Sequence, residues 1–141
     1  MIHRRLRREF DKKRCKYELD DETSRIAFEY RGQRIIAHLP SDYPFKAPTA
    51  LFINGVEMTH EYFYQRPPAV MKELRFSGCC YMCQSCLCSD NWSPSLTLHD
   101  VVEQMLRYRA AVLQAHYNVY IRESGMLPLP EVTVNQVLDF I

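Results

Sequence analysis

Apolar residues recur at every fourth position at the start of the chain, at Ile2, Leu6 and Phe10. Arg4, Arg5, Arg7, Arg8, Lys12, Lys13 and Arg14 crowd the positions around them. A spacing of four sets the apolar residues on one stripe of a helix, so the pattern predicts a short amphipathic helix over about residues 2–14. The period then drops to two. Ile26, Phe28 and Tyr30 alternate with Arg25, Ala27 and Glu29, the signature of a half-buried strand over 24–30. Cys15 to Leu19 reads as a short strand before it, joined through a turn at 20–23. Arg31-Gly32 reads as a tight turn, and Gln33 to Leu39 as the partner strand, which Pro40 ends. Residues 41–48 are punctuated by prolines. Tyr43 and Ala47 each directly precede one, which disfavours helix there. Thr49 to Ile53 predicts a fourth strand, and Asn54-Gly55 is a strong turn signal.

The second half turns helical. Gln65 to Leu74 predicts a turn and a short, surface-lying helix, while Tyr62, Phe63 and Tyr64 read as packing residues. Five of the six cysteines and the single tryptophan fall between Cys79 and Thr97. A long helix follows from Leu96 or Thr97 to about Glu123, with Val101, Val102, Met105, Leu106, Val112, Leu113 and Tyr117 at helical period. Thr97, with Asp100 three residues later, fits an N-terminal capping pattern. A break near 107–110 would divide this segment into two helices, and Ser124-Gly125 stops it. Leu127-Pro128-Leu129-Pro130 reads as an extended linker, and Thr133 as the cap of a last short helix over 134–141. The expectation is an α+β chain in one domain, residues 1–141: N-terminal helix, four-stranded antiparallel meander, cysteine-rich loop and long C-terminal helices.

Composition narrows the class. The chain has 141 residues, 47% of them hydrophobic and 25% charged, which suits one core. A formal net charge of +1 gives no global argument for nucleic acid or membrane as partner. No apolar run approaches the ~18 residues of a membrane helix. The charged N-terminus does not fit a signal peptide. An intracellular, reducing location is expected, in which the cysteines are thiols, metal ligands or a nucleophile rather than disulfides.

Two motifs carry a family resemblance. Trp92-Ser93-Pro94-Ser95-Leu96-Thr97 leads into the long helix, and Tyr43-Pro44-Phe45-Lys46-Ala47-Pro48 precedes the fourth strand. Together, in this order and over roughly residues 1–115, they resemble ubiquitin-conjugating enzymes. The resemblance implies that family's fold, with residues 57–80 as a divergent insertion and 126–141 as a C-terminal extension. It implies ubiquitin or a ubiquitin-like modifier, an activating enzyme and a ligase as partners, with no required cofactor. The first helix of the family is basic and receives the activating enzyme. Tyr43, Phe45 and Pro94 stand where the family meets its ligase. The family's nucleophilic cysteine precedes the tryptophan by a short turn and a loop. Cys83, nine residues before Trp92, fits that spacing best and is the first choice; Cys86, six before it, is the second. The chemistry would be transthiolation: an exposed thiol receives the modifier's C-terminal glycyl group as a thioester, beside a donor that stabilises the oxyanion. The family's His-Pro-Asn has no counterpart here. His60-Glu61-Tyr62 stands near its expected place, and Asn91 is the substitute donor, by a different geometry.

The same cysteines admit a second reading. Cys79, Cys80, Cys83, Cys86 and Cys88 contain two overlapping C-x2-C steps. Zinc takes four tetrahedral ligands and favours thiolate, so four of these five, or three with His60, could close a site. The chain would then be a non-catalytic relative, an interaction or structural module, in a virion if its source is a virus. His3, His38, His99 and His116 are scattered and read as structural or exposed. Asp90 reads as turn chemistry, and Trp92 as the anchor of the loop.

Overall fold

A computed structural model of the chain describes residues 2–76, 85–88 and 90–125. The fold is α+β: an N-terminal helix, a five-stranded antiparallel sheet and a long C-terminal helix. Helix α1 spans Ile2–Lys12 and buries Leu6 and Phe10 completely, as the stripe predicts. Glu9 lies on the same stripe and is buried with them.

The strands are β1 (Tyr17–Asp20), β2 (Arg25–Tyr30), β3 (Gln33–His38), β4 (Ala50–Ile53) and β5 (Val56–Glu57), paired in sequence order. The expected meander has four strands. The fifth forms because Asn54-Gly55 closes a two-residue hairpin, which returns the chain to pair Phe52 with Glu57 and Ile53 with Val56. Both turn residues take positive φ, 50° at Asn54 and 82° at Gly55, the geometry that matches strand twist in such a loop. Only two residues long and exposed, β5 has no alternation from which periodicity could find it.

Period two puts Ile26, Phe28, Ile35, Ala37, Leu51 and Ile53 on one face of the sheet. They form one buried cluster with Leu6 and Phe10 of α1 and with Leu98, Val101, Val102 and Met105 of helix α4, which spans Leu98–Ser124. Two further helices lie between the sheet and α4 in the chain, α2 (His60–Tyr64) and α3 (Pro68–Phe76). Phe63 is fully buried, with Tyr62 and Tyr64 packed against the core. Helix α3 is not the surface-lying helix expected. Val70 and Leu74 fall four residues apart on one face, only 2% and 3% exposed, and the helix packs along α4.

Thr97 caps α4 as its sequence predicts. Its hydroxyl accepts from the Asp100 N–H at 3.1 Å, while the Asp100 carboxylate accepts from the Thr97 N–H at 2.8 Å. The helix then runs unbroken for 27 residues to a left-handed stop at Gly125. The expected break at 107–110 does not occur: that stretch holds no glycine or proline, and Met105 and Val112 on either side are both in the core. The expected linker and final helix, residues 127–141, lie outside the described residues. No helix among the described residues is long and apolar enough to cross a membrane.

Candidate functional site

Residues 85–88 and 90–92 belong to a loop fastened at both ends. Ser85 is fully buried, and its carbonyl accepts from the Cys88 N–H and from Asn91 Nδ2, each at 3.0 Å. Its hydroxyl accepts from the Leu87 N–H at 3.1 Å. The Cys88 carbonyl in turn accepts from the backbone N–H groups of Asn91 and Trp92. Gln104, one turn beyond the core residue Val101 on α4, holds the start of this turn. Its Oε1 accepts from the Cys86 N–H at 2.8 Å and from the Cys86 thiol at 3.0 Å. Trp92 holds the far end: its indole Nε1 donates to the Pro44 carbonyl at 2.9 Å, and its ring lies 6.0 Å from that of Tyr43. Trp92 therefore anchors the loop, as expected.

This geometry separates the candidate cysteines. Cys79, Cys80 and Cys83 lie outside the described residues. Cys86 is 7% exposed, and burial pushes its thiol above the ordinary cysteine range. A thiol that donates to an amide oxygen keeps its proton, whereas both a nucleophile and a zinc ligand must give it up. Cys86 thus stands here as a packed, protonated thiol bonded to Gln104, less exposed than the nucleophile the resemblance implies. Cys88 is half-buried, and its backbone serves the turn. Asn91 is committed as well, since its amide braces Ser85, so an oxyanion there would compete with a bond that shapes the loop. Among the described residues no three His, Cys, Asp or Glu side chains gather to hold a metal ion. Replacing Gln104 with leucine leaves both Cys86 donors without their acceptor. Such a variant is expected to lose about 1 kcal/mol of stability and to expose Cys86 to alkylation, read by mass spectrometry of labelled peptides.

The expected ligase-contact residues divide similarly. Phe45 is 62% exposed, and Pro94 is exposed. Tyr43 is not available to any partner. It is fully buried, its hydroxyl donates to Glu9 Oε1 at 2.8 Å, and burial together with the Glu9 charge pushes its pKa far up. A residue preceding proline in a polar loop reads as exposed; here the loop folds back so that the ring fills the gap between α1 and Trp92. Beside it, Arg4, Arg5 and Arg8 of α1 line a shallow groove with Pro44 and Phe45.

Glu9 organises this corner, and sequence reasoning passes over it among the surrounding cations. Its Oε1 also accepts from Arg5 Nε at 2.6 Å, and its Oε2 from the Leu98 N–H, the first of α4, at 3.1 Å. A carboxylate at a helix N-terminus is favoured by the backbone dipole as well as by the bond. The signal available in sequence is position: Glu9 lies three residues after Leu6 and directly before Phe10, on the buried stripe. His99, read as structural or exposed, is structural. It is 1% exposed, its ring 4.7 Å from Phe10 and 5.2 Å from Tyr30, and neither nitrogen has a hydrogen-bond partner among the described residues. His60 begins α2, and its side chain lies outside what the structure describes. No family model, no curated protein and no solved structure matches this chain.

Proposed function

We propose that this chain is a ubiquitin-conjugating-like protein, with that family's fold, that accepts ubiquitin or a ubiquitin-like modifier as a thioester on Cys83. The observation that carries the reading is the meeting of the two motifs behind the resemblance. Forty-eight residues apart in sequence, they are joined by the Trp92–Pro44 hydrogen bond and the Tyr43–Trp92 ring contact. That clasp fixes the loop leading to α4 against the Tyr43-Pro44-Phe45 segment, with Phe45 and Pro94 both exposed for a ligase.

The thiolate of Cys83 would attack the modifier's thioester carbonyl on the activating enzyme. A new thioester forms and the enzyme's thiolate leaves. Thiol-to-thiol exchange of this kind is nearly balanced and leans little on an oxyanion donor. Attack by a lysine amine leans on it more, and one such donor is worth about 10²–10³ in rate. Asn91 is held by Ser85 and His-Pro-Asn is absent, so the discharge supported here is to another thiol, such as a ligase cysteine.

The test combines the protein with activating enzyme, ubiquitin and ATP and separates the products on a non-reducing gel. A thiol-sensitive adduct is expected, lost in Cys83→Ser and kept in Cys86→Ser, that discharges to free cysteine faster than to free lysine. Absence of any adduct sinks the proposal. Absence together with one zinc per chain by elemental analysis replaces it with the non-catalytic module.

A further inference from the structure

The net charge of +1 conceals a strong polarity. Residues 1–14 hold seven of the eighteen lysines and arginines against two carboxylates, leaving eleven basic and fifteen acidic side chains in the remainder. Of those seven cations, Arg5 is bound to Glu9. The other six, Arg4, Arg7, Arg8, Lys12, Lys13 and Arg14, are exposed, and none is ion-paired among the described residues. Glu9 points inward and Asp42 is paired with Lys46 at 3.3 Å, so Asp11, exposed on the same helix, is the carboxylate that offsets one of these charges and leaves the face in net excess of cations. At the edge of the cations stands Phe45, 62% exposed, in the groove it shares with Arg4 and Arg8.

We infer that this face binds single-stranded nucleic acid. Unpaired, clustered cations match a polyphosphate backbone, whose binding is driven by the release of its counterions. Arg4, Arg8 and Lys12 succeed one another at steps of four residues, roughly 6 Å along the helix, a row that a flexible phosphodiester chain can follow. Phe45 beside that row offers a flat apolar face on which an unpaired base stacks, and cations interleaved with an exposed aromatic ring are the working parts of sequence-tolerant single-strand binding. A lipid surface fits less well. An amphipathic helix enters a membrane by its apolar face, and here Leu6 and Phe10 are fully buried in the protein's own core. An acidic protein partner would be expected to meet a larger apolar centre than one phenyl ring. The observations behind this inference are separate from those behind the thioester reading, but Phe45 and the α1 face are shared, so nucleic acid would compete there with the ligase and activating enzyme of that reading.

Fluorescence anisotropy of a labelled twenty-residue oligothymidylate, titrated with the full chain over a salt series, provides the test. A dissociation constant of about 10⁻⁶ M at low salt is expected, with log K falling against log salt by about 0.7 for each phosphate contacted. The double reversal Arg4→Glu/Arg8→Glu alters only exposed side chains. It should weaken binding at least tenfold and flatten the salt slope by about one. Phe45→Ala should weaken binding about tenfold and leave the slope unchanged. A paired duplex of the same length should bind less tightly than the single strand. The inference is overturned by absence of binding at low salt or by indifference to the Arg4/Arg8 reversal. It is equally overturned if polyglutamate competitor shows that the partner is an acidic protein, or phosphatidylserine vesicles that it is a membrane, by binding as well as the oligonucleotide does.

Discussion

Glu9→Ala is expected to destabilise the protein by about 3 kcal/mol, the largest loss for any single polar side chain described here. The carboxylate is 4% exposed and accepts three bonds, from Arg5, Tyr43 and the first N–H of α4. Truncation strands the Tyr43 hydroxyl in a fully buried position and removes the acceptor at a helix end. Arg5 moderates the loss. Its side chain is 21% exposed and can recover water, which sets the expected cost at the low end of the range for breaking a buried ion pair. Glu9→Gln keeps the shape and part of the bonding and should lose about half as much. Urea denaturation of both variants gives the comparison, and Tyr43→Phe completes a double-mutant cycle whose coupling should exceed 0.5 kcal/mol. A cost below 1 kcal/mol for Glu9→Ala, or additivity in the cycle, would mean that water replaces these bonds without loss.

The second large effect runs the other way. His99→Leu is expected to raise stability by about 1–2 kcal/mol at neutral pH, because it removes two buried nitrogens that have no partner among the described residues and retains an apolar side chain of similar reach. It should also change the pH profile. Burial among the rings, with Lys13 adding to it, lowers the His99 pKa below the ordinary histidine value. The unfolded chain therefore takes up a proton near pH 6.5 that the folded chain refuses until a lower pH. The stability due to neutral His99 is complete above about pH 6.5 and falls as pH drops below it, by up to about 1.4 kcal/mol for each pH unit until the folded form titrates. His116 acts in the same sense: burial and then Arg66 lower its pKa, and its Nε2 faces Arg66 at 3.2 Å. Chemical denaturation at pH 7.5 and 5.5 should show a smaller acid loss in His99→Leu, and a smaller one again when His116→Gln is added. An unchanged acid loss in both variants would assign it to other groups.

What the sequence made legible was whatever depends on neighbours in the chain. The stripe of α1, the alternation of β2 and β3, the turn at Asn54-Gly55 and the cap at Thr97 each rest on residues within four positions of one another, and all are present in the fold. The misreadings arose where distant residues decide. Helix α3 looked exposed until α4 covered Val70 and Leu74. Tyr43 looked available until Glu9 and Trp92 enclosed it. Which of the two readings of His99, structural or exposed, holds is decided by Phe10 and Phe28, from two other elements, which close over it. Of the site, the Trp92 anchor was legible as a motif. The role of Gln104, a polar residue on an amphipathic helix with no distinguishing neighbour, was not.

The bond between Glu9 and the first residue of α4 spans 89 positions of sequence, and it orders events during synthesis. An eleven-residue helix bearing four unpaired cations, Arg4, Arg7, Arg8 and Lys12, gains little from its own hydrogen bonds and is marginal in water alone. The aromatic contact with His99 and the helix-end partner of the buried carboxylate can be made only when residues 98 and 99 have left the ribosome. Until then the N-terminal segment is a basic, incompletely docked chain, and closure of so long a loop slows the last step of folding relative to assembly of the local hairpins. A chain stopped short of α4 should therefore hold the meander without the helix that begins it.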